Sequence, residues 1–82
     1  MKVFIVVERV SQYESGVAIL GVFSTKARAE QDIQDILQVR KSSYLEDVQE
    51  DKVRFPDETF PSWEEHLDEF PIDLFIREEE VV

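Results

Sequence analysis

Val3 to Val7 is an unbroken run of β-branched and aromatic side chains, and Val17 to Phe23 is a second apolar run after a polar interval. Runs of this length, rich in such residues and bounded by turn formers, predict strands over Lys2–Val10 and Val17–Phe23, each apolar on both faces. Between them Ser11 to Gly16 predicts a hairpin loop, because Gly16 can take positive φ. Gly21, inside the second strand, marks a bulge or a place where another backbone passes closely.

The period then changes. Ala29, Ile33, Ile36, Leu37 and Arg40 recur at three- and four-residue steps behind Ser24 and Thr25, either of which supplies an N-cap oxygen, so a helix is predicted over Lys26–Arg40. Its polar side carries Lys26, Glu30, Asp32, Asp35 and Gln38, and Arg40 with Lys41 complements the negative end of the macrodipole. The stretch from Lys41 to Phe70 is too long to lack structure inside a small domain. It contains two capping boxes, Ser43-Tyr44-Leu45-Glu46 and Ser62-Trp63-Glu64-Glu65, each predicting the start of one or two helical turns. In the second, Trp63, His66 and Leu67 share one side while Glu64, Glu65 and Asp68 point elsewhere, and Phe70-Pro71 ends it. Ile72 to Glu78 alternates Ile72, Leu74 and Ile76 with Asp73, Phe75 and Arg77, which predicts a closing strand with one buried face.

These elements predict an α+β class: a small antiparallel β-β-α-β sheet of three strands, the first in the centre, with the main helix across one face and an acidic insert over about 41–70. One helix covers one side only. The other side is expected to be covered by the segment holding Tyr44, Phe55, Phe60 and Trp63, or by a second copy of the chain in a homodimer.

Length and composition narrow this picture. At 82 residues the chain is expected to be one domain, burying about 60% or slightly more of its unfolded surface, with room for one core. There is no cysteine, which removes disulfides, thiolate metal sites and a cysteine nucleophile. No apolar run approaches the roughly 20 residues of a membrane span and no signal pattern opens the chain, so a cytoplasmic protein without membrane contact is expected. The formal charge of −10 opposes direct nucleic-acid binding. Divided along the chain, that charge is uneven: Met1 to Leu45 is close to neutral, whereas Glu46 to Phe70 holds ten acids against Lys52 and Arg54 and all three prolines.

Three stretches, Lys2-Val3-Phe4-Ile5-Val6-Val7, Gly21-Val22-Phe23-Ser24-Thr25-Lys26-Ala27-Arg28-Ala29-Glu30 and Ile72-Asp73-Leu74-Phe75-Ile76, resemble small bacterial and phage-borne proteins of unknown function. The resemblance implies strand, strand, helix, strand, with the second strand running straight into a capped helix. It implies no catalytic or binding residue. The insert from Lys41 to Phe70 departs from the shorter linker of such proteins.

The chemistry of the side chains points away from catalysis. With only Gly16 and Gly21 there is no phosphate loop, and the single histidine, His66, has no serine in a nucleophile elbow to serve. Glu65, His66 and Glu69 could share a helix face, yet neither an EF-hand order of acids nor H-E-x-x-H is present, so no metal or other cofactor is expected. The more informative pattern is aromatic and acidic together: Asp57, Glu58, Phe60, Trp63, Glu64, Glu65, Asp68 and Glu69 are expected to form a patch for a basic protein surface, with aromatic anchors and steering charges. The plainer alternative is that the aromatics complete the core of a small domain. The expected function is accordingly a non-enzymatic interaction module of regulatory or inhibitory kind. One alternative is a phage-type acidic inhibitor whose carboxylates mimic phosphates to block a nucleic-acid-binding or defence protein. Another is a small-ligand or metal-dependent enzyme using His66.

Overall fold

The computed structural model describes residues 1–9 and 16–82. Val10 and most of the loop expected over Ser11 to Gly16 lie outside the described residues. The chain is α+β, with strands β1 (Lys2–Arg9) and β2 (Val17–Phe23), a long helix α1 (Lys26–Arg54), a short helix α2 (Trp63–Glu69) and a closing strand β3 (Asp73–Glu80). It divides into two compact units, Met1–Asp35 with Ile72–Val82, and Ile36–Pro71.

The first unit holds the sheet, antiparallel throughout and ordered β2-β1-β3, so β1 is the central strand as its two-sided apolar run requires. Cross-strand partners share a face. Phe4, Val6 and Glu8 therefore stand with Phe23, Gly21, Ala18, Ile76 and Leu74, and Ile5 and Val7 stand on the other face with Val22, Ile19, Arg77 and Phe75. The buried residues among those described are Val6, Val7 and Ala29, all in this unit. The opening turns of α1 lie on the Val6 face: Lys26 borders a depression with Phe4, Ile76 and Glu78, and Phe23 borders another with Arg28, Gln31 and Asp32. Thr25 caps this helix, its Oγ1 accepting from the Arg28 amide at 3.3 Å.

The bulge predicted near Gly21 is present. Val6 pairs with Gly21 and Val7 with Ile19, leaving Leu20 as the extra residue on β2. A side chain there would meet the Phe23 ring: a Cβ on Gly21 would fall 2.8 Å from Phe23 Cε2, and 3.5 Å, an ordinary contact, from the Asp32 carboxylate. Gly21→Val is therefore expected to displace the Phe23 ring and destabilise the unit by about 1–2 kcal/mol, within the usual cost of overpacking. Thermal unfolding measures it, and the same change made in a Phe23→Leu background should cost clearly less, since the clash partner is gone.

Cross-strand ion pairs reinforce the strand ends, with Arg9 to Asp73 at 3.4 Å, Lys2 to Glu78 at 3.5 Å and the amino terminus to Glu80 at 3.2 Å. All are well exposed, so each contributes little. Arg9 also places its guanidinium 5.2 Å from the centre of the Phe75 ring.

The main departure from expectation is the length of α1. It continues fourteen residues past Arg40 to Arg54. Ser43-x-x-Glu46 consequently lies in mid-helix and starts nothing. Half-buried positions recur along the whole helix at Ile33, Ile36, Leu37, Arg40, Tyr44, Val48 and Asp51, so the helical period simply continues through Lys41-Ser42-Ser43. The helix stops where Pro56 disfavours helical backbone at Phe55. The segment separating α1 from β3 thus begins at Phe55, not at Lys41.

Candidate functional site

The second unit is built from the later turns of α1, the segment after it, and α2. Leaving α1, the chain reverses in a turn over Phe55-Pro56-Asp57-Glu58, closed by the Glu58 amide donating to the Phe55 carbonyl at 3.1 Å. Proline at the second position presets the φ such a turn needs. Asp57 and Glu58 are exposed on it.

The start of α2 is the predicted Ser-x-x-Glu cap, with the serine half of the box formed and the glutamate turned to the serine hydroxyl instead of its backbone amide. Ser62 has extended backbone, and its Oγ accepts from the Glu65 amide at 3.2 Å while donating to Glu65 Oε1 at 3.2 Å. At the other end the Phe70 amide donates to the His66 carbonyl at 2.8 Å, and Pro71 blocks continuation. Ser62→Ala is expected to cost about 1 kcal/mol of local stability and to speed amide exchange at Glu65, while Ser62→Asn keeps the cap. Hydrogen exchange by NMR reads both.

Seven residues are too few for a helix to persist alone in water. Its acids make the case worse: Glu64 with Asp68, and Glu65 with Glu69, are like charges four residues apart, each pair destabilising by about 0.2–0.5 kcal/mol. What holds α2 is a cluster of rings around His66, to which Tyr44 of α1 contributes. The Tyr44 ring stacks on His66 with centroids 4.3 Å apart and planes at 28°, and meets Trp63 at 5.7 Å. Trp63 and His66 lie 5.9 Å apart, His66 and Phe70 5.3 Å, and the Tyr44 hydroxyl donates to the Pro61 carbonyl.

The residues expected to form the patch therefore separate into two sets. Trp63 and Phe60 are half-buried, and Trp63 lies in the ring cluster. Asp57, Glu58, Glu64, Glu65, Asp68 and Glu69 are exposed. Residues 55–71 contain these six acids and no lysine or arginine. Exposed apolar surface on the segment comes from Phe55 and Phe70, each about half exposed at 52%. Tyr44 and His66 are the positioning residues that sequence reasoning missed. The sequence left Tyr44 as one of the residues to cover the sheet and put His66 on one side of its turn with Trp63 and Leu67, without joining the two, whereas the two rings stack on each other.

Among the described residues, no three of His, Asp and Glu are grouped so as to hold a metal ion. Among the same residues, no helix is long and apolar enough to cross a membrane.

Comparison with known proteins bears on the first two thirds of the chain. No curated protein and no solved structure matches it. One family model matches residues 1–55, which span β1, β2 and all of α1 and end where Pro56 terminates the helix. The acidic turn, α2 and β3 follow that span. On this match, covering well over half of its length, the chain belongs to the family of the domain of unknown function DUF7336.

Proposed function

We propose that this protein is a non-enzymatic interaction module, of regulatory or inhibitory kind, that docks on a basic protein surface through α2 and the turn before it. The observation that carries the reading is the division of α2 into two sides. One is held by the ring cluster of Tyr44, Trp63 and His66, and the other projects Glu64, Glu65, Asp68 and Glu69 into solvent with no lysine or arginine in the segment to pair with them. A folded chain that holds mutually repelling carboxylates on a seven-residue helix gives up local stability for them, and a concentrated field is useful for steering an oppositely charged partner. Phe55 and Phe70 supply the apolar contact that converts encounter into affinity.

The test is capture of partners on immobilised protein from a lysate of its native host, eluted in steps from about 50 mM to about 500 mM salt, a range over which exposed charge pairs become screened. Basic proteins retained at low salt, released at moderate salt and lost when α2 is neutralised support the reading. Retention that ignores both salt and α2 removes it.

A second reading gains from the length of α1. Twenty-nine consecutive residues of α1 are helical, each rising about 1.5 Å along its axis. Its last third sets Glu46 with Glu50 and Asp47 with Asp51 at four-residue spacing, the repeated acid placement on a stiff element that phosphate mimicry requires. On that reading the partner is a nucleic-acid-binding protein, and DNA or RNA added to the capture experiment competes for the same partner.

A further inference from the structure

The two edges of the sheet are unlike. The β3 edge carries Asp73, Arg77, Glu78, Glu79 and Glu80, the charged edge by which sheets avoid adding strands. The β2 edge, Val-Ala-Ile-Leu-Gly-Val-Phe, carries no charge and no proline over seven residues. On it Val17, Ile19 and Val22 are 59%, 68% and 58% exposed, and Leu20 is 39% exposed. Among the described strands the outer side of β2 is unpaired, and an apolar edge of this kind, on either side of the Leu20 bulge, is a template for another strand.

We propose that the occupant is a second copy of this chain: two β2 strands pair antiparallel about a two-fold axis perpendicular to the sheet, giving one continuous six-stranded sheet. Such an axis keeps like faces together, so the Val17, Ile19 and Val22 side chains of each copy meet their equivalents and extend the apolar face of Ile5, Val7 and Phe75. Charge selects this occupant. Each copy carries −10, so like copies repel wherever their acids approach, and the neutral β2 edge is where that repulsion is least. A basic partner is drawn instead to residues 55–71, and an uncharged edge is best complemented by another uncharged edge. Area sets the strength. A seven-residue strand is about 23 Å long, and one edge of that length covers less than the roughly 800 Å² per partner of a standard interface. The dimer is therefore weak and reversible, half-formed at tens to hundreds of micromolar, on the order of the weaker complexes. Because like charges oppose it, added salt tightens it, opposite to the docking proposed for α2.

Sedimentation velocity on the full chain from about 10 µM to about 500 µM brackets that range. The weight-average mass is expected to rise toward twice the monomer value, more completely at about 0.5 M salt than at 20 mM. Ile19→Lys should remain monomeric although it lowers the net repulsion, whereas Val39→Lys, at a comparably exposed aliphatic position on α1, should dimerise like the wild type. Hydrogen exchange on the unaltered protein gives a reading independent of any variant's folding: amides of Val17–Phe23 gain protection as concentration rises. A wild type monomeric at every concentration overturns the proposal. So does association that Ile19→Lys leaves unchanged, or a monomer whose β2 amides are protected only by an added, unrelated strand-forming peptide.

Discussion

Lysine in place of Glu64, Glu65, Asp68 and Glu69 is expected to slow association with the captured basic partner about 10- to 100-fold at low salt, and to flatten or invert the salt dependence. The change turns the formal −6 of residues 55–71 into +2, so an attractive field becomes a weakly repulsive one. All four side chains are exposed, and the like-charge spacing on α2 is the same with lysine as with carboxylate. The fold therefore remains, apart from a penalty of a few tenths to about 1 kcal/mol for cations in the first turn and the loss of the exposed hydrogen bond from Ser62 Oγ to Glu65 Oε1. Replacing the four by glutamine should give an intermediate slowing, which separates loss of attraction from added repulsion. Stopped-flow association at a series of salt concentrations is the measurement, with circular dichroism as the check on folding. Identical on-rates for wild type and the lysine variant would remove α2 from the interface.

The second large effect is expected from Tyr44→Ala. It deletes two ring contacts, each worth about 0.5–1.5 kcal/mol beyond burial, and one hydrogen bond worth about 0.5–1.5 kcal/mol. The expected loss of about 2–4 kcal/mol is a large share of the roughly 4–12 kcal/mol available to 82 residues. It should fall on α2. Trp63 is the only tryptophan, so fluorescence reports this cluster alone, and its emission should shift to the red as the ring becomes wet. Tyr44→Phe keeps the stacking and should cost only the hydrogen bond. Since Tyr44→Ala leaves every charge in place, it also asks whether the partner needs carboxylates that are positioned or merely numerous. Binding that survives loss of α2 would show that number suffices.

How much of this was legible in the sequence follows from how local each cause is. Two-sided apolar runs specified β1 and β2, Thr25 and Ser62 announced helix starts, and Gly21 announced a bulge, because each cause lies within a few residues of its effect. The end of α1 was misread because two local signals agreed on it: Arg40 and Lys41 as terminal bases, and Ser43-x-x-Glu46 as a new cap. Neither forbids a helix. Serine costs only about half a kilocalorie in a helix interior, and Tyr44 and Val48 continue the period until Pro56, the first residue that stops it. The acidic side of α2 was equally readable from spacing. Its support was not, because stacking Tyr44 on His66 joins residues 22 apart through a turn that no local pattern specifies. The match of residues 1–55 with the family stops just before the proline that ends the helix.

The pairing of β1 with β3 has a consequence for how the molecule is made. Lys2 is partnered by Glu80 and Arg9 by Asp73, so the strand at the centre of the sheet receives its second neighbour from the end of the sequence. During synthesis, which proceeds at about 5–20 residues per second, β1 and β2 are complete while the residues that flank Val6 and Val7 on the other edge have yet to be translated. Closing that long loop is the entropically demanding part of building the sheet. Until β3 is added, the nascent sheet is two-stranded and presents its most apolar strand as an edge, the arrangement most open to unwanted strand pairing.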